Sequence, residues 1–121
     1  MKRKPTGGRR KALRGKRAYE MGSDATTTLV GEPGLHKRRG RGGSMKIGLL
    51  AWKFANVTDP TTKKTQKVEI RRVIKNPANP DYERRGVITK GSVIETSLGQ
   101  ATVVSRPGQH GAINAILTQK A

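Results

Sequence analysis

The opening stretch of the chain carries anion-binding side chains at high density. From Lys2 to Arg17, nine residues are lysine or arginine and none is acidic. A guanidinium binds phosphate through parallel N–H donors, and a lysine ammonium adds a point charge. Gly7 and Gly8 lie in the middle, where the missing side chains let the backbone approach a sugar-phosphate chain. The pattern predicts a nucleic-acid-binding arm, against the alternatives of a solvated tail or a localisation signal. The predicted contacts of this arm are Lys2, Arg3, Lys4, Thr6, Gly7, Gly8, Arg9, Arg10, Lys11, Arg14, Lys16 and Arg17.

A second segment, residues 36–43 with the sequence HKRRGRGG, again mixes cations with glycines. Alone it is typical of a linker, but two such segments beside one small domain favour a shared phosphate-binding role. Three arginines in or beside predicted loops extend this footprint, although each alone is also explained as a solvated surface charge. The predicted contacts of this second group are Lys37, Arg38, Arg39, Arg41, Gly42, Gly43, Arg84, Arg85 and Arg106.

Aromatic side chains are scarce, at 3% of the chain. A protein that stacks successive bases of a single strand normally carries more of them. Trp52 and Phe54 lie two positions apart in one predicted strand, hence on one face, which is typical of core packing. The sequence therefore favours recognition of the backbone and shape of folded RNA over base reading.

Overall composition excludes several classes of protein. The 121 residues are enough for one compact domain, and 26 Lys+Arg against 8 Asp+Glu give a net charge of +18. Such a charge attracts polyanions, whether nucleic acid, an anionic membrane or an acidic protein. The absence of cysteine excludes disulfides and cysteine zinc sites. No apolar run reaches the ~18–20 residues of a membrane span. The basic N-terminus lacks the apolar stretch of a signal peptide, so we expect a cytoplasmic protein without membrane attachment.

Motifs of enzymes are not satisfied. A phosphate-binding loop requires four residues between its glycine and Gly-Lys, but six separate Gly8 from Gly15, and Arg17 replaces the Ser or Thr. The two histidines, His36 and His110, lie in basic, glycine-rich surroundings, and no paired carboxylates share a predicted strand face. We therefore expect no enzymatic activity, no metal, no cofactor and no small-molecule substrate.

The elements that position these cations are predicted to be β-strands. Of residues 1–44 only 10 are apolar, against 29 of residues 45–121. Many short strands, separated by turns about every ten residues, predict a small closed barrel, because closure removes exposed edges. In 65–74 the alternation slips at Arg71-Arg72, which indicates a bulge. The prolines of NPANPD forbid regular structure across 76–81. Strands are predicted within 26–30, 45–57, 65–74, 87–89, 93–97, 102–105 and 115–118, turns at 59–60, 90–91, 98–100 and 106–108, and a turn or two of helix at 11–19.

The predicted fold class is thus all-β, a small closed β-barrel with a basic, largely irregular N-terminal extension. Residues 1–22 form the arm and residues 23–121 the barrel domain. Within that domain, 25–44 contribute a strand and the basic glycine-rich segment, and 45–121 the main barrel strands.

Five stretches in fixed order resemble one known family over almost the whole chain. They are RKPTGGRRKALRGKRAYEMG, RGGSMK, ANVTDPTTKKT, NPANPDYERRGVITKGSVIET and SRPGQHGAINAIL. Together they resemble the small-subunit ribosomal protein eight of archaea and eukaryotes, the "eight-e" family, and the short length resembles its archaeal members. Ser44 departs from the expected Asn, and GLLAW at 48–52 is less basic than the usual family stretch.

The resemblance implies a structural constituent of the small ribosomal subunit, located in the cytoplasmic ribosome. It implies that the partners are small-subunit ribosomal RNA and neighbouring ribosomal proteins, and we expect no homo-oligomer. The segments Lys4–Arg10, Lys16-Arg17 and Arg41–Gly43 would face the RNA. The alternative is a nucleic-acid-binding module outside the ribosome, such as an RNA-processing or chromatin factor.

Overall fold

The structure is a computed structural model that describes residues 3–10 and 14–120. Within these ranges the chain is mostly strand, as predicted. The nine strands are β1 (Thr28–Val30), β2 (Gly34–Arg39), β3 (Met45–Trp52), β4 (Phe54–Thr58), β5 (Thr65–Lys75), β6 (Val87–Ile88), β7 (Val93–Thr96), β8 (Gly99–Val103) and β9 (Asn114–Lys120). Two short helices are α1 (Pro80–Arg84) and α2 (Pro107–His110), and single 3₁₀ turns occupy Ala18–Glu20 and Arg41–Gly43.

Five strands form a closed barrel in the order β4-β5-β7-β8-β9, which confirms the predicted fold class. Closure is made by a parallel pairing of β4 with β9, which places Asn56 beside Asn114. In β5, Val68 and Ile70 are buried whereas Lys67 and Glu69 are exposed, as the alternation predicts. The core consists of Leu49, Ala55, Val57, Val68, Ile70, Ile88, Ile94, Ala101, Val103, Ile113, Ala115 and Leu117.

A second sheet, with the order β2-β3-β1-β6, packs against the barrel core through Leu49 and Ile88. The apolar stretch 45–57 is therefore two strands, since Lys53 separates β3 from β4. Strand β2 was not predicted, because its Gly34–Arg39 composition is basic and glycine-bounded. Its pairing with the apolar β3 stabilises it as a strand. Residues 36–39 are thus a strand and not an irregular segment.

The predicted bulge in β5 is confirmed. The pairing of β5 with β7 shifts between Ile70 and Arg72, which brings Arg72 opposite Glu95. The Nε of Arg72 lies 2.5 Å from Glu95 Oε2 in an exposed ion pair. The extra residue moves Arg72 to the outer surface and lets Val73 continue the inward face.

Two proline-containing stretches fold as short helices where irregular structure or turns were expected. The prediction for 76–81 is wrong at its end, because Pro80 starts α1 and proline fits the first helical position. Asn79 caps this helix by accepting a hydrogen bond from the Asp81 N–H at 3.0 Å. Pro107 starts α2 in the same way. Of the predicted helix 11–19, residues 14–17 are not helical, residues 18–19 belong to the 3₁₀ turn Ala18–Glu20, and residues 11–13 lie outside the described residues.

Asn76 joins the end of β5 to β6 and is only 4% exposed. Its Nδ2 donates to the Val87 carbonyl at 2.8 Å, and its Oδ1 accepts from the Thr89 hydroxyl at 2.9 Å. We expect Asn76→Ala to lower the free energy of unfolding by about 2–3 kcal/mol, because buried polar partners lose their hydrogen bonds. Urea unfolding measures this. Asn56→Ala, which removes an exposed amide contact, is the control, and an equal loss in both variants would contradict the prediction.

Candidate nucleic-acid interface

The described part of the arm folds back on itself between residues 3 and 10. The Gly7 N–H donates to the Lys4 carbonyl at 3.0 Å, and the Lys4 N–H donates to the Gly8 carbonyl at 2.9 Å. Arg3 and Arg9 form an antiparallel bridge across this loop. All side chains from 3 to 10 are exposed. The loop thus displays its cations to solvent, and the exposed Arg3 guanidinium also helps to close it by donating to the Gly7 carbonyl at 2.8 Å.

The two glycines of this loop differ in their local requirements. Gly7 has φ +81°, a conformation that disfavours residues with a side chain. Gly8 has no such constraint, and a Cβ built on it meets its nearest neighbour, Thr6 Oγ1, only at 3.8 Å. The space around both is open, so an approach of another chain is sterically free. The close-approach role of both glycines stays a prediction.

Arg14 is engaged inside the arm by Glu20. Its Nη1 and Nη2 lie 2.8 and 2.6 Å from Glu20 Oε2 and Oε1, a two-point geometry that a phosphate would also use. This guanidinium, together with the Arg17 backbone N–H, holds the pKa of Glu20 below its ordinary value. A phosphate that binds Arg14 in this same two-point geometry must therefore displace the Glu20 carboxylate. Lys16 and Arg17 are exposed, and Lys2 and Lys11 lie outside the described residues.

The basic glycine-rich segment forms part of strand β2 and the tip of the β2–β3 hairpin. Gly42 and Gly43 have φ of +68° and +77°, which the tight connection requires. Because side chains alternate along a strand, Lys37 and Arg39 share one face and Arg38 points to the other. Arg38 lies directly opposite Lys46, a cation that was not predicted as a contact. The three predicted cations of β2 are thus divided between two faces.

Helix α2 lies directly over β3 at Gly48. A Cβ at Gly48 would meet the Gly108 carbonyl oxygen at 2.3 Å, so the two backbones touch only because residue 48 has no side chain. The space between hairpin and helix is a cleft of about 700 Å³ whose lining includes His36, Arg38, Lys46, Gln109 and His110. This feature, called here the hairpin cleft, combines residues far apart in the sequence.

A second cleft of about 340 Å³ adjoins the first along Arg38 and Gln109. Arg38 and the predicted Arg106 both line it, together with Lys90 and Asp24. Lys90 was not among the predicted contacts. It lies beside Gly91 in a predicted turn, and a cation next to a glycine is the same signal that identified the other basic segments. The structure therefore brings Arg38, Lys90 and Arg106 to one surface.

Arg84 and Arg85 lie elsewhere, at the C-terminal end of helix α1, where Arg84 is the last helical residue and Arg85 the cap. Arg84 Nη2 is 2.8 Å from Asp81 Oδ1, and Arg85 Nη1 is 3.6 Å from Asp81 Oδ2. Neither lines the two clefts. Because both pairs are exposed, the ion pairing with Asp81 is weak and leaves the guanidinium groups accessible.

Across residues 3–10 and 14–120, no cluster of three or more His, Asp or Glu side chains has the arrangement needed to hold a metal ion. No helix in this part of the chain is long and apolar enough to cross a membrane.

Comparison with known proteins gives a match over nearly the full length. The family model for ribosomal protein S8e matches residues 1–118. The small ribosomal subunit protein eS8 of Methanocorpusculum labreanum is 49% identical over 97% of this chain and 94% of its own length. The eS8 proteins of Sulfurisphaera tokodaii and Methanobrevibacter smithii are each 50% identical, over 98% and 95% of this chain and 93% and 92% of their own lengths.

Proposed function

The chain belongs to the ribosomal protein S8e family, and from this premise we propose that its arm and hairpin bind and stabilise folded small-subunit ribosomal RNA. Family membership itself makes the chain a structural constituent of the small ribosomal subunit, acting in the cytoplasmic ribosome. The family is one of structural proteins and not of enzymes. Its partners are ribosomal RNA and other ribosomal proteins.

The observation that carries the proposal is the exposure of the cations in the described arm. Arg3, Lys4, Arg9 and Arg10 are all exposed, in a loop that is closed by backbone hydrogen bonds. A preformed loop loses less conformational entropy on binding than a free tail would. Phosphate groups supply most of the affinity of such interfaces, and they position the protein without reading sequence.

The hairpin and the adjoining clefts extend the same role to the barrel side of the molecule. Arg38 faces both clefts, and Arg106 and Lys90 lie along the smaller one. The hairpin tip is formed by Arg41, Gly42 and Gly43, each of which is exposed. Arm and hairpin together offer two separate basic surfaces, which suits a protein that contacts more than one segment of a folded RNA.

The family match favours this role over a nucleic-acid-binding module outside the ribosome, and co-sedimentation tests it. Small subunits depleted of their own copy, in high magnesium, are expected to pellet with one copy of this protein. Large subunits under the same conditions are the control. Equal recovery with both subunits, or none with either, would contradict the proposal. Sedimentation of the free protein alone also tests the expectation that it is not a homo-oligomer.

A further inference from the structure

The hairpin cleft differs in chemistry from the other basic surfaces of the protein. It holds two imidazoles and a carboxamide beside its cations, and no carboxylate is among its lining residues. We propose that this cleft receives one unpaired nucleotide of the bound RNA and recognises its base. The inference rests on the proposed function, and it adds one point of base reading to an interface that otherwise binds backbone.

The floor of the cleft is one face of the hairpin. Arg38 and Lys46 lie directly opposite each other on β2 and β3, and His36 lies opposite Gly48, two residues further along. Opposite residues of an antiparallel pair share a face, so His36, Arg38 and Lys46 line the same surface. A pair of cations on directly opposite residues can bind a single phosphate group, and we place the attached nucleoside towards His36, which lies two residues further along the same face.

The wall of the cleft is helix α2, which Gly48 allows to sit directly against the floor. Gln109 and His110 are exposed residues of this helix that line the cleft. The Arg106 N–H donates to His110 Nδ1 at 3.1 Å. The neutral ring therefore carries its proton on Nε2, which leaves one defined donor for a ligand. The Gln109 carboxamide adds N–H donors and an acceptor oxygen, which accepts from Arg106 Nη1 at 3.4 Å and keeps a second lone pair for a ligand.

These groups are those that recognise unpaired bases. Bases splayed out of an RNA fold stack on aromatic or imidazole rings and guanidinium planes, and their edges bond to polar side chains. The volume of about 700 Å³ falls in the range of small-ligand sites. An acidic peptide would need only the cations, so the rings and the carboxamide favour a nucleotide over a peptide.

The test uses the full-length protein labelled with ¹⁵N and three kinds of probe. They are single-stranded RNA homohexamers, each built from one of the four nucleotides, an abasic hexamer with the same backbone, and a hexaglutamate peptide. We expect base-bearing RNA, but not the abasic strand, to shift the NMR signals of His36, Gln109 and His110. The double variant Gln109→Ala, His110→Ala is expected to lose about 10-fold in affinity for the preferred hexamer. The slope of affinity against salt should stay unchanged, because no phosphate contact is removed.

The matched control is Gln119→Ala on the exposed surface of β9, which should leave affinity unchanged. Equal shifts from the abasic strand would overturn the inference in favour of a phosphate site. Tighter binding of hexaglutamate than of any RNA would overturn it in favour of an acidic protein segment. If the double variant binds a small-subunit RNA fragment with the full affinity and salt dependence of the unmodified protein, only this inference is overturned. If the unmodified protein does not bind the fragment at all, the proposed function itself is overturned.

Discussion

Deletion of residues 2–17 is expected to flatten the log–log dependence of RNA affinity on salt by about 4 to 5 units. Each phosphate contact contributes roughly 0.7 to 0.9 of slope through counterion release, and we assign about six contacts to the nine cations of this segment. The measurement is affinity for a small-subunit RNA fragment across a salt series, with the full-length and the truncated protein. An equal slope in both would show that the barrel surface does the binding.

Stability of the remaining chain should change by less than about 0.5 kcal/mol, because every described residue of 3–10 and 14–17 is exposed. A folded truncated protein would also support residues 23–121 as the folding unit, which stays a prediction. Loss of dispersed amide signals would contradict both expectations.

A charge-matched pair of variants separates local contact from total charge. Each variant replaces four exposed cations by glutamine, and both therefore have the same net charge. We expect the arm variant to lose about 3 units of salt slope and the barrel variant less than about 1. The arm variant carries the changes at Arg3, Lys4, Arg9 and Arg10, and the barrel variant those at Lys64, Lys67, Arg71 and Lys75.

Gly48→Ala is expected to lower the free energy of unfolding by about 3 kcal/mol, the upper part of the usual range for overpacking. The new Cβ would lie 2.3 Å from the Gly108 carbonyl oxygen, a backbone atom that no rotamer change can remove. Thr26 also lies close to Gly108, because a Cβ built at residue 108 would be 3.0 Å from Thr26 Cβ, so helix α2 has little room to shift. Thermal unfolding should show a Tm lower by roughly 10–15 °C.

The control for this substitution is Gly31→Ala between β1 and β2. Its Cβ would meet only Ala51 Cβ at 3.9 Å, an ordinary contact, so we expect a change within about 1 kcal/mol. A Gly48→Ala protein as stable as the Gly31→Ala protein would mean that α2 does not rest on β3 in solution.

Strand positions in the barrel could be predicted because a period of two is a local signal. The burial of Val68 and Ile70 and the bulge before Arg72 follow from neighbouring residues. Strand β2 escaped prediction because its stability comes from pairing with β3, and its own residues are basic. The division of the strands between barrel and second sheet also depends on pairings between distant segments, which a single sequence does not display.

The basic segments of the interface could be predicted from amino-acid composition, but the way in which the fold groups their cations in space could not. Alternation along β2 sends Lys37 and Arg38 to opposite faces, and only the fold reveals that Arg38 and Arg106 line the same cleft. The hairpin cleft was invisible for a related reason. His36 and His110 are remote in the sequence, and neither counts among the aromatic residues whose scarcity argued against base reading.

The parallel pairing of β4 with β9 also dictates when the protein can finish folding during its own synthesis. Asn56 can pair only after Asn114, about 60 residues later, has been synthesised. At usual rates of translation, the delay between the two residues is roughly 3 to 12 s. Throughout that interval the backbone donors and acceptors of the β4 edge lack their partner strand. The basic arm, by contrast, is complete from the first moments after it emerges. We therefore expect a premature stop before β9 to release a chain that keeps its basic arm but cannot close its barrel, whereas we expect losses at the N-terminus to spare the fold.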